Sequence, residues 1–282
     1  MNTTTRTTGL LALALCGLAL IGQGGAQAVE PYTLYEDWHR ADHMRGDRWS
    51  GAIDSMPEFR RAVHGHKLSM HLRSEGVTAS NVGTLLQHNR ASLNGPTLVT
   101  QLLVEAEVHR IEVIGCAANP APSIIRAVAL TLNRFSDGPV PAAPGSLVGD
   151  YLARLQVVRA SNSVDPQGIL RVQGRLFHCL DAGCLATTTV AAVDFPDAIT
   201  LGQRVRLQLL WDAPNNQFLV ALDHGALQPL PYPAAANGRP TVVPLADVRQ
   251  SGVTANCTAI ATVVDAEAEI GRVFTNAAAV VP

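Results

Sequence analysis

From residue 204 to 225 apolar and polar positions alternate in two runs. Val205, Leu207, Leu209 and Trp211 interleave with Arg204, Arg206, Gln208 and Leu210. After 212–217 the alternation resumes at Phe218, Val220 and Leu222 and stops at Asp223-His224-Gly225. Successive side chains of a strand point to opposite faces, so this segment predicts a β-hairpin with one buried and one wet face. The same reading gives strands over 98–114, 124–135, 151–158, 169–178, 187–193, 204–211, 218–223 and 262–274, all rich in Val, Leu, Ile and Thr. Turns fall between them at Asn119-Pro120, Asp137-Gly138-Pro139, Asp165-Pro166-Gln167-Gly168, Asp181-Ala182-Gly183 and Pro214-Asn215-Asn216. Residues 63–73 read as a hairpin followed by a strand, and 37–45 as a short helix or an irregular segment. The Pro- and Ala-rich stretch 228–246 reads as a surface loop. Regularly spaced strands separated by turn signals predict an all-β sandwich.

The first residues follow a different pattern. Arg6 precedes an apolar run over 9–21, and Ala26-Gln27-Ala28 forms an A-x-A site, so 1–28 reads as a signal peptide removed near Ala28. The run is too short to span a bilayer about 30 Å thick. A lipid-attachment signal wants a small residue before its cysteine, and Leu15 precedes Cys16, which favours secretion, periplasmic or extracellular, over a lipoprotein. Residues 29–282 read as one domain. A net charge of −2 points away from nucleic acid and anionic membrane as partners, and no second apolar span appears. Nothing in the sequence bears on oligomeric state. Of five cysteines, Cys16 leaves with the signal peptide. Cys179 and Cys184 flank a tight turn and pair with each other, which leaves Cys116 for Cys257. A four-thiolate zinc site lacks its C-x-x-C knuckles.

The W-D…N-N-Q-F-L-V…D-H-G hairpin resembles that of the concanavalin A-like lectin/glucanase and laminin-G-like sandwiches. Further likeness lies in Trp38 and Trp49, in His64-Gly65-His66-Lys67-Leu68 and in the closing Val273-Phe274-Thr275-Asn276. Gly115-Cys116-Ala117-Ala118-Asn119-Pro120, Ser161-Asn162-Ser163 and Cys179…Cys184 are similar to secreted bacterial members of unassigned role. The resemblance covers most of 29–282. It implies a two-sheet antiparallel jelly roll with few or no helices, and a fold does not name a function.

Retaining glucanases of that fold class carry E-x-D-x-x-E on one strand. Neither V-E-A-E-V at 104–108 nor D-A-E-A-E at 265–269 matches. The resemblance places both on the convex sheet, where they read as solvated faces paired to Arg110 or Arg272. His39 and His43, and His64, His66 and His71, have spacings that hold zinc or copper, but no matching carboxylate accompanies them, so no metal is assigned. No cofactor is assigned; structural calcium on Glu36, Asp37 and Asp265 stays open as an alternative. There is no G-x-S-x-G.

The wet faces of the middle strands offer Arg154 and Gln156, then Arg171, Gln173 and Arg175, then Arg204, Arg206 and Gln208. The resemblance puts these strands in one concave sheet, so the eight residues predict one ligand groove. Guanidinium groups bind carboxylates bidentately and amides bond to sugar hydroxyls, which suits an anionic glycan. The leading expectation is therefore a secreted, non-catalytic carbohydrate-binding or cell-surface interaction protein with no catalytic residue assigned. The alternative is a polysaccharide-degrading enzyme, lyase before hydrolase, on the same face; Tyr151 and His178 lie at the ends of these strands as candidate bases. A structural envelope protein is the third reading.

Overall fold

Period-two alternation resolves into two stacked antiparallel sheets. The computed structural model describes residues 30–39, 43–50, 59–139, 143–236 and 238–280; the signal-peptide reading lies outside them. In chain order the strands are β1 (Thr33–Glu36), β2 (Trp49–Ser50), β3 (Phe59–His64), β4 (Lys67–Glu75), β5 (Thr84–Leu93), β6 (Gln101–Ile114), β7 (Ile124–Ser136) and β8 (Asp150–Ala160). They continue as β9 (Ile169–Cys179), β10 (Thr187–Thr200), β11 (Arg204–Asp212), β12 (Gln217–Leu222), β13 (Gln228–Pro231), β14 (Arg239–Ala255) and β15 (Val263–Thr275). Helical residues among those described occur only in short 3-10 turns, and no helix is long and apolar enough to cross a membrane. One sheet runs β13-β12-β11-β6-β15-β4-β3, with β1 also on β15; the other runs β10-β9-β8-β7-β14-β5-β2. This is the expected all-β, two-sheet antiparallel jelly-roll sandwich.

The inner faces carry the apolar half of each alternation. Leu130, Leu132, Leu155, Val172 and Val248 of the seven-stranded sheet are buried with Leu68, Leu72, Val104, Leu207 and Ile270 of the eight-stranded one. Each such side chain stabilises the stack by about 1.5–3 kcal/mol. At Gly252 the sheets approach so closely that a Cβ would lie 2.5 Å from Val264 Cγ2 and 3.0 Å from Leu72 Cδ2. Two amides also cross the interior. Asn89 Nδ2 donates to the carbonyls of Arg60 (3.1 Å) and His71 (3.2 Å) and to Gln250 Oε1 (3.2 Å). Gln250 Nε2 donates to the Met70 carbonyl at 3.2 Å. Both residues are fully buried, and these bonds satisfy donors whose burial alone would cost a few kcal/mol.

Three expectations change. The stretch 228–246 is not a surface loop: β13 adds to β12, and β14 begins at Arg239 and becomes a central strand beside β7. Strand β5 was not foreseen. The middle strands do not share a sheet. After β10 closes the edge of the seven-stranded sheet beside β9, the chain crosses over and β11 pairs with β6 in the other sheet. Among the described residues of 37–45 there is no helix. Trp38 and Trp49 are buried and stacked at 5.2 Å, with the Trp38 indole donating to the Gly271 carbonyl. Val205, Leu207 and Leu209 are core as expected, whereas Trp211 is only partly buried and donates to the Tyr232 hydroxyl at 2.8 Å.

Both expected disulfides form, Cys179–Cys184 across a sequence separation of 5 and Cys116–Cys257 across 141. Cross-linking removes more freedom from the unfolded chain when the closed loop is long. Replacing Cys116 and Cys257 together by Ala should lower the unfolding free energy by about 2–5 kcal/mol, measured by urea denaturation. The same change at Cys179 and Cys184 should cost less.

Candidate functional site

The outer face of the seven-stranded sheet carries a cationic cleft. Alternation puts His88 and Arg90 of β5, Arg249 of β14, Arg126 of β7, Arg154 of β8 and Phe177 of β9 on this face. They line a hollow of about 530 Å³, with Gly183, Cys184 and Leu185 of the small disulfide loop in its wall. A second hollow of about 320 Å³ lies alongside and shares Arg126; Gln156, Arg159, Asp165, Arg171 and Gln173 line it.

The first hollow has more positive charge than it neutralises. Arg249 Nε donates to Asp247 Oδ1 at 2.6 Å, a buried pair. No carboxylate meets Arg90, Arg126 or Arg154 among the described ion pairs. Arg154 stacks over Phe177 at 5.3 Å, and its enclosed Nε has no hydrogen-bond partner among the described residues. Beside it in register, the fully buried Thr131 hydroxyl is likewise unpartnered. Burial, and then the neighbouring charges of Arg249 and Arg126, pull the Arg154 guanidinium down to about 9. Removal from water, and then the charges of Arg249 and Arg154, push the His88 imidazole down to about 4, against a smaller upward pull from Asp247. His88 is therefore neutral at pH 7 and has a lone pair to accept a proton.

The eight residues expected to form one groove lie on two sheets. Arg154, Gln156, Arg171, Gln173 and Arg175 belong to β8 and β9, whereas Arg204, Arg206 and Gln208 belong to β11. Gln156 is buried; its Oε1 accepts from Arg126 Nε (3.0 Å) and its Nε2 donates to Gln173 Oε1 (3.2 Å). Arg171 grips Asp165 with two bonds of 2.9 and 2.5 Å. Arg175 turns away to the Val193 carbonyl and Asp194. On the other sheet Arg204 approaches Glu107 (3.9 Å), Arg206 approaches Glu105 (4.0 Å), and Gln208 lies beside Tyr32. One row from Arg154 to Gln208 is thus ruled out, because the crossover to β11 puts the core between its halves.

His88, Arg90, Arg126 and Arg249 were not singled out in the sequence. The signal existed as Leu86-His88-Arg90-Ser92 and Asp247-Arg249-Ser251, each at period two. It was hidden because Asn89 and Gln250 put amides, and Gly252 a bare backbone, at inward positions that should read apolar. A bulge between Arg126 and Val128 breaks the alternation of β7.

The carboxylates are ion-paired strand faces, as expected. Glu105 accepts from Arg272 at 2.8 and 3.0 Å, and Asp265 pairs with Arg110 (3.0 Å), His71 (3.1 Å) and Arg73 (3.3 Å). Asp265 is thereby engaged by cations, and Glu36 accepts from the Asp37 and Trp38 amides and the Trp49 indole, so they do not converge on a calcium site. Glu107, His109 and Glu269 bring ligand atoms within 4.8 Å of one another, but Lys67 already bonds Glu269 and lies 3.9 Å from Glu107. Tyr151 and His178 share Asp137, at 3.0 and 2.8 Å, and burial raises Tyr151 to about 12. Tyr151 belongs to the core, away from the cleft.

No family model matches this chain, and no curated protein does. Among solved structures it is similar to the catalytic domain of an endo-1,3-β-glucanase (laminarinase) from Thermotoga petrophila RKU-1, at 11% identity and a TM-score of 0.47, covering 88% of this chain and 98% of that one. It is also similar to LamAcat from Zobellia galactanivorans, at 10% identity and a TM-score of 0.41, over 88% and 92%. A third similar structure comes from work on endo-acting O-glycanases of the human gut microbiota, at 7% identity and a TM-score of 0.46, over 86% and 97%. The leading expectation of a non-catalytic carbohydrate-binding protein is corrected, because the single groove on which it rested is divided between two sheets.

A half-buried guanidinium with no carboxylate partner is a cost that the fold carries. Arg154→Met should raise the unfolding free energy by about 0.5–2 kcal/mol, read by thermal denaturation. The described residues form a two-sheet antiparallel β-sandwich, with a cationic cleft on the outer face of the seven-stranded sheet.

Proposed function

We propose that this protein is a secreted polysaccharide-degrading enzyme, a lyase that cleaves a uronate-containing chain in the cleft of the seven-stranded sheet. The observation that carries this reading is geometric: the His88 imidazole shares one hollow with Arg90, Arg126 and Arg154, none of which meets a carboxylate among the described ion pairs. Hydrolysis at a glycosidic bond needs two carboxyl groups flanking it. The first hollow is lined by none among the described residues, and in the second Asp165 is held by Arg171. β-Elimination needs a different set: a cation to neutralise the uronate carboxylate and a base for the proton on the adjacent carbon.

The cleft supplies both. Arg154, with Arg90 and Arg126 in the same lining, stabilises the negative charge that grows on the carboxylate, and a preformed cationic site does so without reorganising. The His88 lone pair takes the proton from the carbon next to the carboxylate. The electrons of that C–H bond become a carbon–carbon double bond, and the neighbouring carbon loses its glycosidic oxygen. That oxygen recovers a proton from the imidazolium, which returns His88 to its starting state.

The test is incubation with alginate, polygalacturonate and hyaluronan, monitored for the ultraviolet absorbance of the unsaturated product. Wild type should release it from at least one polymer, and His88→Gln should lower kcat by about 10²–10⁴-fold. The rate should rise with pH through about 4 and then level, because the neutral imidazole is the active form. No unsaturated product from any polymer, or an unchanged rate in His88→Gln, rejects the lyase.

A further inference from the structure

The two hollows differ in charge, and the difference specifies the substrate. In the first, Arg90, Arg126, Arg154 and Arg249 face Asp247 alone. In the second, Arg171 is paired with Asp165, while Arg159 and the shared Arg126 keep their charge but direct donors to oxygens of the protein. Arg171 and Asp165 neutralise each other in a two-bond pair. Arg159 spends its guanidinium on the carbonyls of Asp165, Pro166 and Ile169, at 2.8–2.9 Å. What the second hollow presents is amide.

A hydrogen-bond relay orients that amide. Arg126 donates to Gln156 Oε1, and Gln156 Nε2 donates to Gln173 Oε1. The Gln173 acceptor is thereby used, and its NH₂ group remains to donate into the hollow. Neutral N–H donors suit uncharged acceptors such as hydroxyl, ring and acetamido oxygens. They do not repay the desolvation of a second carboxylate as a guanidinium would. Arg154 and Gln156 are two residues apart on one strand face, about 6.8 Å, so the change from cationic to neutral lining occurs over roughly one sugar residue.

We infer that the cleft takes a polysaccharide in which an acidic sugar alternates with an uncharged one, the acid in the first hollow and the neutral sugar on Gln173. The inference rests on the cleft being the polysaccharide site. A homopolymer with a carboxylate on every sugar puts one of them in a hollow where Arg171 is already paired with Asp165 and where Arg126 is shared with the first hollow.

The experiment measures equilibrium binding to His88→Gln, which holds substrate without consuming it. The probes are hyaluronan oligosaccharides, in which uronate alternates with N-acetylglucosamine, and oligogalacturonate of equal length. The alternating chain should bind at least about tenfold more tightly. Gln173→Lys, in the same background and checked for an unchanged melting temperature, should improve oligogalacturonate binding about tenfold and change hyaluronan binding by less than about threefold. Equal or tighter binding of oligogalacturonate before the lysine is introduced overturns the inference, and so does an unchanged preference after it. Either result leaves the lyase reading intact if wild type still forms unsaturated product. Absence of that product rejects the lyase even where the binding preference holds.

Discussion

The structure depends on face-to-face burial of two apolar sheet surfaces. Leu130, Leu155 and Val248 from one sheet and Val104, Leu207 and Ile270 from the other are withdrawn from water. Because strand side chains alternate, fixing the inner residues fixes the outer ones, and slipping a strand by one residue would exchange them. The buried Asn89–Gln250 bridge adds direction to this nonspecific attraction. Its donors reach particular carbonyls on β3 and β4, so it sets how the sheets lie over each other as well as holding them together.

The cleft follows from that register. Once Val248 and Leu130 face inward, Arg249 and Thr131 must face outward, and four neighbouring strands together with β9 deliver arginines, His88 and Phe177 to one surface. Burial first, and like charge second, lowers the proton affinity of Arg154 and His88, and both oppose folding. The apolar stack is large enough to carry this cost. The same repulsion that weakens the free protein is relieved when an anion enters, so the strain is available as binding energy for an acidic ligand. On the opposite sheet the charges behave differently. Glu105, Glu107, Asp265 and Glu269 are matched by Arg272, Lys67 and Arg110, which makes a largely paired ionic surface.

The fold was largely legible in the sequence, and the site only in part. Strands β6 to β12 announce themselves because most of their inward positions are apolar. The disulfides follow from an even cysteine set and one tight turn. Strands β5 and β14 stayed hidden because their inward positions carry Asn89, Gln250 and Gly252. With them went His88, Arg90 and Arg249, which are half of the cleft. Arg154, Gln156, Arg171 and Gln173 were found because β8 and β9 alternate cleanly. Arg204, Arg206 and Gln208 were joined to them wrongly, since alternation gives the face of a strand and not the sheet to which it is added. That assignment is set by the crossover after β10, a long-range event with no local signal.

The central claim is that an acidic glycan binds on the seven-stranded sheet and not on the β11 surface. Nuclear magnetic resonance of the arginine Nε–H and histidine ring signals tests it most directly, during titration with an acidic oligosaccharide. The account predicts that Arg126, Arg154 and His88 shift together with one dissociation constant while Arg204 and Arg206 stay in place. Shifts confined to Arg204 and Arg206, or none at His88 and Arg154, would contradict it.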